Sequence, residues 1–199
     1  MLRARLSKLC CVIGLFGLTA CSEPHPSSGP SNGPEQVANR FYRILLAEPF
    51  GGLPTQEQLR PYRAVLHQEL IRRLEEAYAA EQHYLATANE AVPPLVEGSL
   101  FGSLFEGVTD FQVERCQNAR RTSRCLVTLI YDKQGERVEW QDELHLRQGR
   151  LGWQISNLTY GGKWDFAPSG TLQQRLDAVI AQNQIIEQGT VSHASSTAP

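Results

Sequence analysis

The clearest strand pattern in the chain is VEWQDELHL, residues 138–146. Its apolar residues alternate with polar ones, which is the period of two typical of a strand with one buried face. The alternation breaks at one point, because Asp142 stands where the buried face calls for an apolar residue. The stretch therefore predicts a half-buried strand and marks Asp142 as its unusual member.

The neighbouring segments extend this strand into a sheet. Residues 125–131 are rich in β-branched and aliphatic side chains, and residues 133–136 have the composition of a hairpin loop. On the other side, Gln148-Gly149 predicts a tight turn before a strand that includes residues 151–155. With the alternation that begins at Phe111, these segments predict a four-stranded antiparallel meander.

Helical periodicity surrounds the predicted sheet. Apolar stripes at residues 37–45 and 66–78 predict two helices, the second with Pro61 as its first residue, and Thr55-x-x-Gln58 resembles a capping box. A last stripe at residues 172–180 predicts a C-terminal helix. The expected fold is α+β, with helices packed on one face of a curved four-stranded antiparallel sheet. The apolar residues 95–107 are expected to fold under the domain or to line an opening.

The predicted hairpins set the strand register. A loop at 133–136 pairs Val127 with Asp142, and a turn at Gln148-Gly149 pairs Asp142 with Ile155. A carboxylate on the buried face must gain a partner, meet water or hold its proton with a raised pKa. Asp142 is therefore either a ligand-orienting group or base in a pocket, or a structural group that pairs with an Arg or Tyr of a helix or is turned outward by a β-bulge. The face shared by both registers comprises Val127, Leu129, Trp140, Leu144, Trp153 and Ile155.

Further candidate ligand contacts follow from this register. Asn157 and Thr159 are predicted to project to the same face as Asp142, and Trp140 and Trp153 complete the set. The alternative is that Asn157 and Thr159 satisfy the margin of the sheet. The sequence has no His-x-His, Cys-x-x-Cys or His-Glu-x-x-His spacing, so we expect neither a metal nor a cofactor.

The first twenty residues have the organisation of a signal peptide. Arg3, Arg5 and Lys8 precede an apolar run, Leu9 to Leu18, that at about ten residues is too short to span a bilayer. The run ends in Leu18-Thr19-Ala20-Cys21, which resembles the lipobox of bacterial lipoproteins. That resemblance implies cleavage before Cys21 and a diacylglycerol group on its sulfur.

The alternative interpretation of the leader is an ordinary secretory signal with a chance cysteine. In lipoproteins an Asp after the lipidated cysteine implies retention in the inner membrane, so Ser22 implies the outer membrane, with the domain facing the periplasm. The expected organisation is a signal peptide at residues 1–20, a lipidated Pro/Gly/Ser tether at 21–34, one domain at 35–183 and a disordered tail at 184–199.

Charge excludes one class of partner. The formal net charge is −2, and loss of the three leader cations leaves −5. A mildly acidic chain is a poor match for nucleic acid. We expect instead that the chain contacts the membrane through Cys21 and binds a protein of the cell envelope.

Two cysteines remain after the leader and Cys21 are set aside. Cys116 and Cys125 flank a polar, basic segment, and an even pair in an oxidising compartment predicts a disulfide, with two free thiols as the alternative. The segment is expected to be a loop that contacts lipid head groups or an acidic partner, or else a solvated hairpin tip. Its basic residues are Arg120, Arg121 and Arg124.

Residues 153–160, WQISNLTY, and the following Gly170-Thr171-Leu172 resemble the nuclear-transport-factor-2-like superfamily. The resemblance covers about residues 35–182 and is nearest to a domain of unknown function in small proteobacterial lipoproteins. It implies a sheet whose concave face often forms a pocket, but the superfamily includes enzymes, binding modules and scaffolds.

A paired acid and base is missing from the motifs, so the expected function is a non-enzymatic binding or accessory lipoprotein. One alternative is an immunity-type inhibitor of a secreted cell-wall hydrolase, whose basic loop blocks an acidic cleft. Another is a small isomerase or cyclase centred on Asp142.

Overall fold

The computed structural model describes residues 33–88 and 92–194, with side chains up to residue 183. The predicted signal peptide, Cys21 and the tether before Gly33 lie outside the described residues, as do the last five residues. Within the described part, no helix combines the length and hydrophobicity needed to span a bilayer. The helices are α1 (Pro34–Ala47), α2 (Gln56–Leu59), α3 (Gln68–Thr87) and α4 (Leu172–Ala194).

The four strands form one antiparallel sheet in sequence order, as predicted. They are β1 (Asp110–Asn118), β2 (Thr122–Lys133), β3 (Glu136–Gly149) and β4 (Gly152–Thr159). The coarse α+β class is therefore confirmed.

The N-terminal helices follow the sequence pattern except at one boundary. Thr55 and Gln58 form the predicted capping box. Pro61, however, does not begin the long helix: it lies in a short 3-10 helix, Arg60–Ala64, and α3 starts only at Gln68. The reason is a tertiary contact, because Val65 and His67 exchange backbone hydrogen bonds of 2.8 and 2.7 Å with Ile155 at the edge of β4.

The register between β2 and β3 agrees with the prediction. Val127 lies opposite Asp142 and Leu129 opposite Trp140. The connecting turn is shorter than the predicted loop, since Lys133 and Glu136 are themselves paired and only Gln134 and Gly135 turn the chain.

The predicted register between β3 and β4 is wrong in two respects. The turn is Arg150-Leu151, not Gln148-Gly149, and Gly152 adopts the positive φ of 93° that such a hairpin uses after its turn. Leu146 pairs with Ile155 but His145 pairs with Asn157, so Ser156 is the extra residue of a β-bulge.

The bulge reverses the faces of the end of β4. Leu158 and Tyr160 are buried on the core side, whereas Asn157 and Thr159 lie opposite His145 and Glu143 on the outer face. The prediction that Asn157 and Thr159 share a face with Asp142 is therefore wrong. An inserted residue inverts every later side chain in a strand, because side chains alternate with a period of two.

The C-terminal helix begins after Thr171, as its apolar stripe predicted, and Leu172, Leu176 and Val179 are buried. It continues to Ala194, so residues 184–194 are helical and not the predicted tail. Once a helix has nucleated, each further residue adds a hydrogen bond, and no proline stops it before Pro199.

Candidate functional site

Asp142 lies at the centre of a buried hydrogen-bond cluster and is 1% exposed. Its Oδ2 accepts hydrogen bonds from the Ser103 backbone N–H at 3.0 Å and the Trp140 indole N–H at 3.2 Å. Its Oδ1 accepts from the Ser103 hydroxyl at 2.5 Å and the Gly161 backbone N–H at 2.8 Å. Four donors of the same chain thus occupy both carboxylate oxygens, and none of them is the Arg or Tyr that the structural interpretation named.

Opposing effects act on the Asp142 carboxyl. Burial raises its pKa, whereas the hydrogen bonds from Ser103, Gly161 and Trp140 lower it, and the net direction is upward. All four donors favour the charged form of the Asp142 carboxyl group. The arrangement therefore commits the carboxylate to holding its neighbours in place.

One of these neighbours is the 95–107 segment, which contacts the face of the sheet that carries Asp142. Besides the contacts of Ser103, the Leu100 carbonyl accepts a hydrogen bond of 2.8 Å from the Tyr160 hydroxyl. The Val96 N–H donates to the buried Glu81 carboxylate at 2.9 Å. Leu100, Phe101 and Leu104 are buried, so this part of the segment folds under the domain, and Gly98, Ser99 and Phe105 line an opening, so both expectations for the segment are confirmed.

Aromatic rings fill the space between this segment and the helices. Phe101 lies with its ring centroid 5.1 Å from that of Phe41 and 5.6 Å from that of Tyr62. Tyr42 stacks on Phe111 at 5.3 Å. The chain's own side chains thus pack against the face of the sheet on which the resemblance implies a pocket.

Two buried hydroxyls in this cluster have no hydrogen-bond partner among the described residues, those of Tyr42 and Tyr62. Burial raises the pKa of both phenols, and the charge of Asp142 raises that of Tyr42 further. Both tyrosines are fully buried among the rings of this cluster.

Gly161 allows the chain that leaves β4 to pack closely against β3. A Cβ atom at Gly161 would lie 2.0 Å from the Gln141 carbonyl oxygen, so only glycine fits against the strand here. The same contact shows that the Gln141 carbonyl points away from β2. Backbone N–H and C=O groups alternate in direction from one residue to the next along a strand. Those of Arg137 and Glu139 therefore also point away from β2.

An open cleft of about 660 Å³ lies beside this edge. The last pair of β3 and β4 is Glu143 with Thr159, so the earlier half of β3 has no strand neighbour on this side within the described chain. Trp164 covers part of the edge, with its ring 5.8 Å from that of Trp140 in an edge-to-face contact. The cleft is lined by Leu126, Val138, Glu139, Trp140, Gln141, Asp142, Glu143, Thr159, Gly161, Lys163 and Trp164.

The other predicted contact residues are dispersed. Asn157 accepts hydrogen bonds from the Leu158 N–H at 2.9 Å and the Gln173 N–H at 3.1 Å, so it caps the start of α4. Trp153 is half-buried opposite Gln148, near the Arg150-Leu151 turn. Only Trp140 lies beside Asp142.

The disulfide prediction agrees with the structure, but the predicted loop does not. Cys116 and Cys125 are direct cross-strand partners with Cα atoms 4.0 Å apart and sulfurs at bonding distance. The strands continue to Asn118 and resume at Thr122, so only three residues form the turn. Cross-strand pairing with β3 holds it flat, since the Gln148 N–H donates to the Arg121 carbonyl at 3.0 Å.

Five exposed arginines gather at this end of the sheet, which we call the arginine end. Arg124 pairs with Glu143 at 3.1 Å and Arg147 approaches Glu69 at 3.8 Å. The others lie in the two turns, and none of them forms an ion pair with a described residue. They are Arg120, Arg121 and Arg150.

No group of three His, Cys, Asp or Glu side chains in the described part of the chain is placed to hold a metal ion. Comparisons with protein-family models, with curated protein sequences and with solved structures found no match.

Sequence reasoning missed Ser103 and Gly161, the partners of Asp142, and the cleft beside Trp164. The Gly161-Gly162 pair was a usable signal for Gly161, because adjacent glycines often mark a close backbone approach. Nothing local marked Ser103, which lies 39 residues from Asp142 along the chain.

Proposed function

We propose that this protein is a lipid-anchored, non-enzymatic binding or accessory domain of the bacterial cell envelope. The observation that carries the proposal is the packing around Asp142 on the buried face of the sheet. The Asp142 carboxylate accepts four hydrogen bonds from its own chain, and aromatic side chains pack between the 95–107 segment and the helices. Such an interior serves stability, and binding then uses the outer surface.

Anchoring through Cys21 is the second part of the proposal. The cationic start, the apolar run and the lipobox agree with one another, and two or three acyl chains hold a protein on a membrane stably. Radioactive palmitate should label the wild-type protein in cells but not a Cys21→Ser variant. Label that persists in the variant would refute the anchor.

The partner site we propose is the cleft beside Trp164. The backbone groups of Arg137 and Glu139 offer hydrogen bonds to an added strand, and Val138 and Trp164 offer apolar contact. An extended segment of an envelope protein fits both features. The charged side chains of Arg137 and Glu139 would then select the sequence of the bound segment.

Site-specific photo-crosslinking in cells tests this site. A benzophenone side chain at Glu139 or Lys163, both exposed at the cleft, should give an adduct of one defined mass. The same group at Glu57, exposed on α2, is the matched control and should give none. Trp164→Ala should abolish the adduct from Glu139.

Adducts that are absent from both cleft positions, or identical to those from Glu57, would show that the cleft is not the partner site.

The finer fold assignment is also a proposal. The order of helices, antiparallel sheet and final helix supports membership of the nuclear-transport-factor-2-like superfamily. Here the 95–107 segment occupies the face that usually forms the pocket, which fits a binding role better than an isomerase or cyclase role.

A further inference from the structure

We infer that the arginine end is a membrane-contact surface that binds anionic phospholipid head groups. Its five arginines are Arg120, Arg121, Arg124, Arg147 and Arg150. Their juxtaposition follows from the topology, because the β1–β2 and β3–β4 turns both lie at the same end of an antiparallel meander.

Positive charge is concentrated at this end, although the mature chain as a whole is acidic. The five arginines are among sixteen Lys and Arg residues that follow the leader, in a mature chain of formal charge −5. Arg124 and Arg147 are ion-paired with Glu143 and Glu69, so the excess positive charge of this end comes from the arginines of the two turns. A cationic end on an acidic body orients the molecule toward a negative surface.

The shape of the arginine end suits contact with a membrane surface and does not suit insertion into the active-site cleft of a hydrolase. Each turn is short, and the hydrogen bond between Gln148 and Arg121 holds the two hairpins side by side. The two turns of this end are only three and two residues long, so neither forms a long loop that could enter the active site of a hydrolase. Leu151, at the tip of the second turn, is 71% exposed and supplies an apolar contact for the boundary between head groups and acyl chains.

The length of chain before the domain allows this contact. Eleven residues lie between Cys21 and Gly33, where the described chain begins, and the extended reach from one to the other is about 40 Å. A domain of this size is about 40 Å across. If Cys21 is acylated, as proposed above, the arginine end can therefore rest on the same membrane that holds the anchor.

Vesicle flotation tests the inference without the anchor. The mature chain from residue 21, carrying Cys21→Ser, is mixed with phosphatidylcholine vesicles that contain either no phosphatidylglycerol or about 30% phosphatidylglycerol at low salt. Each arginine near an anionic surface contributes about fivefold to partitioning. We expect at least tenfold stronger partitioning into the anionic vesicles and loss of this gain at high salt.

A pair of charge-reversal variants locates the surface. Arg120→Glu/Arg121→Glu should lower partitioning into the anionic vesicles at least tenfold. Lys133→Glu/Arg137→Glu makes the same charge change at the opposite end of the sheet, about 40 Å away along β3, and should stay within twofold of wild type. Should the first variant not fold by circular dichroism, Arg120→Ser/Arg150→Ser replaces it.

Three results would overturn the inference. Equal partitioning into neutral and anionic vesicles would assign the arginines to an acidic protein or to solvent. An equal loss in both charge-reversal variants would show a non-specific charge effect. Displacement by millimolar inorganic phosphate at constant ionic strength would indicate a discrete anion site. Because Cys21 is absent, failure here leaves the palmitate result untouched.

Discussion

Asp142 shows how one polar residue can organise a buried face. Its carboxylate contacts β3, the 95–107 segment and the chain after β4 at once, through Trp140, Ser103 and Gly161. Replacing it with an apolar residue would leave buried N–H donors without acceptors, which costs about 1–3 kcal/mol for each group.

We therefore expect Asp142→Ala to lower the free energy of unfolding by about 3 kcal/mol or more. Urea unfolding of the purified variant measures this loss. Glu139→Ala is the control, since Glu139 is exposed on the same strand and should change stability by less than about 0.5 kcal/mol. A variant as stable as wild type would mean that Asp142 is a compromise retained for ligand binding.

His145 is the residue on the outer face whose charge state depends on folding. Its Nε2 lies 2.9 Å from the Thr159 hydroxyl and 3.2 Å from the Glu143 carboxylate. Burial lowers its pKa below 6.5, Glu143 opposes this shift, and Arg124 adds to the lowering. The unfolded chain thus binds a proton at a higher pH than the folded chain does.

This difference gives a pH dependence with a definite sign. Protonation near pH 6.5 favours the unfolded chain, so stability should fall as the pH drops below 6.5 and level off once the folded protein is also protonated. Unfolding midpoints measured across this range should fall further for wild type than for His145→Gln. A pKa at or above 6.5, measured by NMR titration of the folded protein, would contradict the argument.

At the scale of elements, the disulfide joins the two strands that are furthest from α4 in the sheet order. Cys116 and Cys125 are nine residues apart, and closing so short a loop stabilises by about 2–3 kcal/mol, chiefly by restricting the unfolded chain. Reduction should therefore lower the free energy of unfolding by about that amount.

Urea unfolding with and without a reducing agent measures the effect. The Cys116→Ala/Cys125→Ala variant serves as control, because its stability should not respond to the reductant. A wild-type protein that is equally insensitive would contradict the disulfide.

The elements also show what the sequence could predict. Pairing of β2 with β3 follows from alternation along two long strands and a short hairpin, so Val127 was correctly placed opposite Asp142. Helix α3 and the end of β4 were misplaced because their boundaries depend on distant contacts. Residues 65–67 pair with Ile155 through their backbone, and no local sequence pattern marks the bulge at Ser156.

The candidate site follows the same division. Alternation alone identified Asp142 as an anomaly, but three of its four hydrogen bonds come from segments 39 and 19 residues away. No periodicity links Ser103 to β3. The function of the carboxylate, which depends on those partners, was therefore open at the level of sequence.

At the scale of the whole molecule, the 95–107 segment packs over the face of the sheet that carries Asp142. If this segment opened readily, it would expose the buried Asp142 carboxylate, which could then act on a substrate. If it remains closed, the outer surface alone is available to partners.

Native-state hydrogen exchange of the Ser103 and Gly161 amides measures the opening directly. We predict that both amides exchange only through global unfolding, with the same free energy as the core of β2 and β3. Exchange of Ser103 at the rate of an exposed loop would contradict the account.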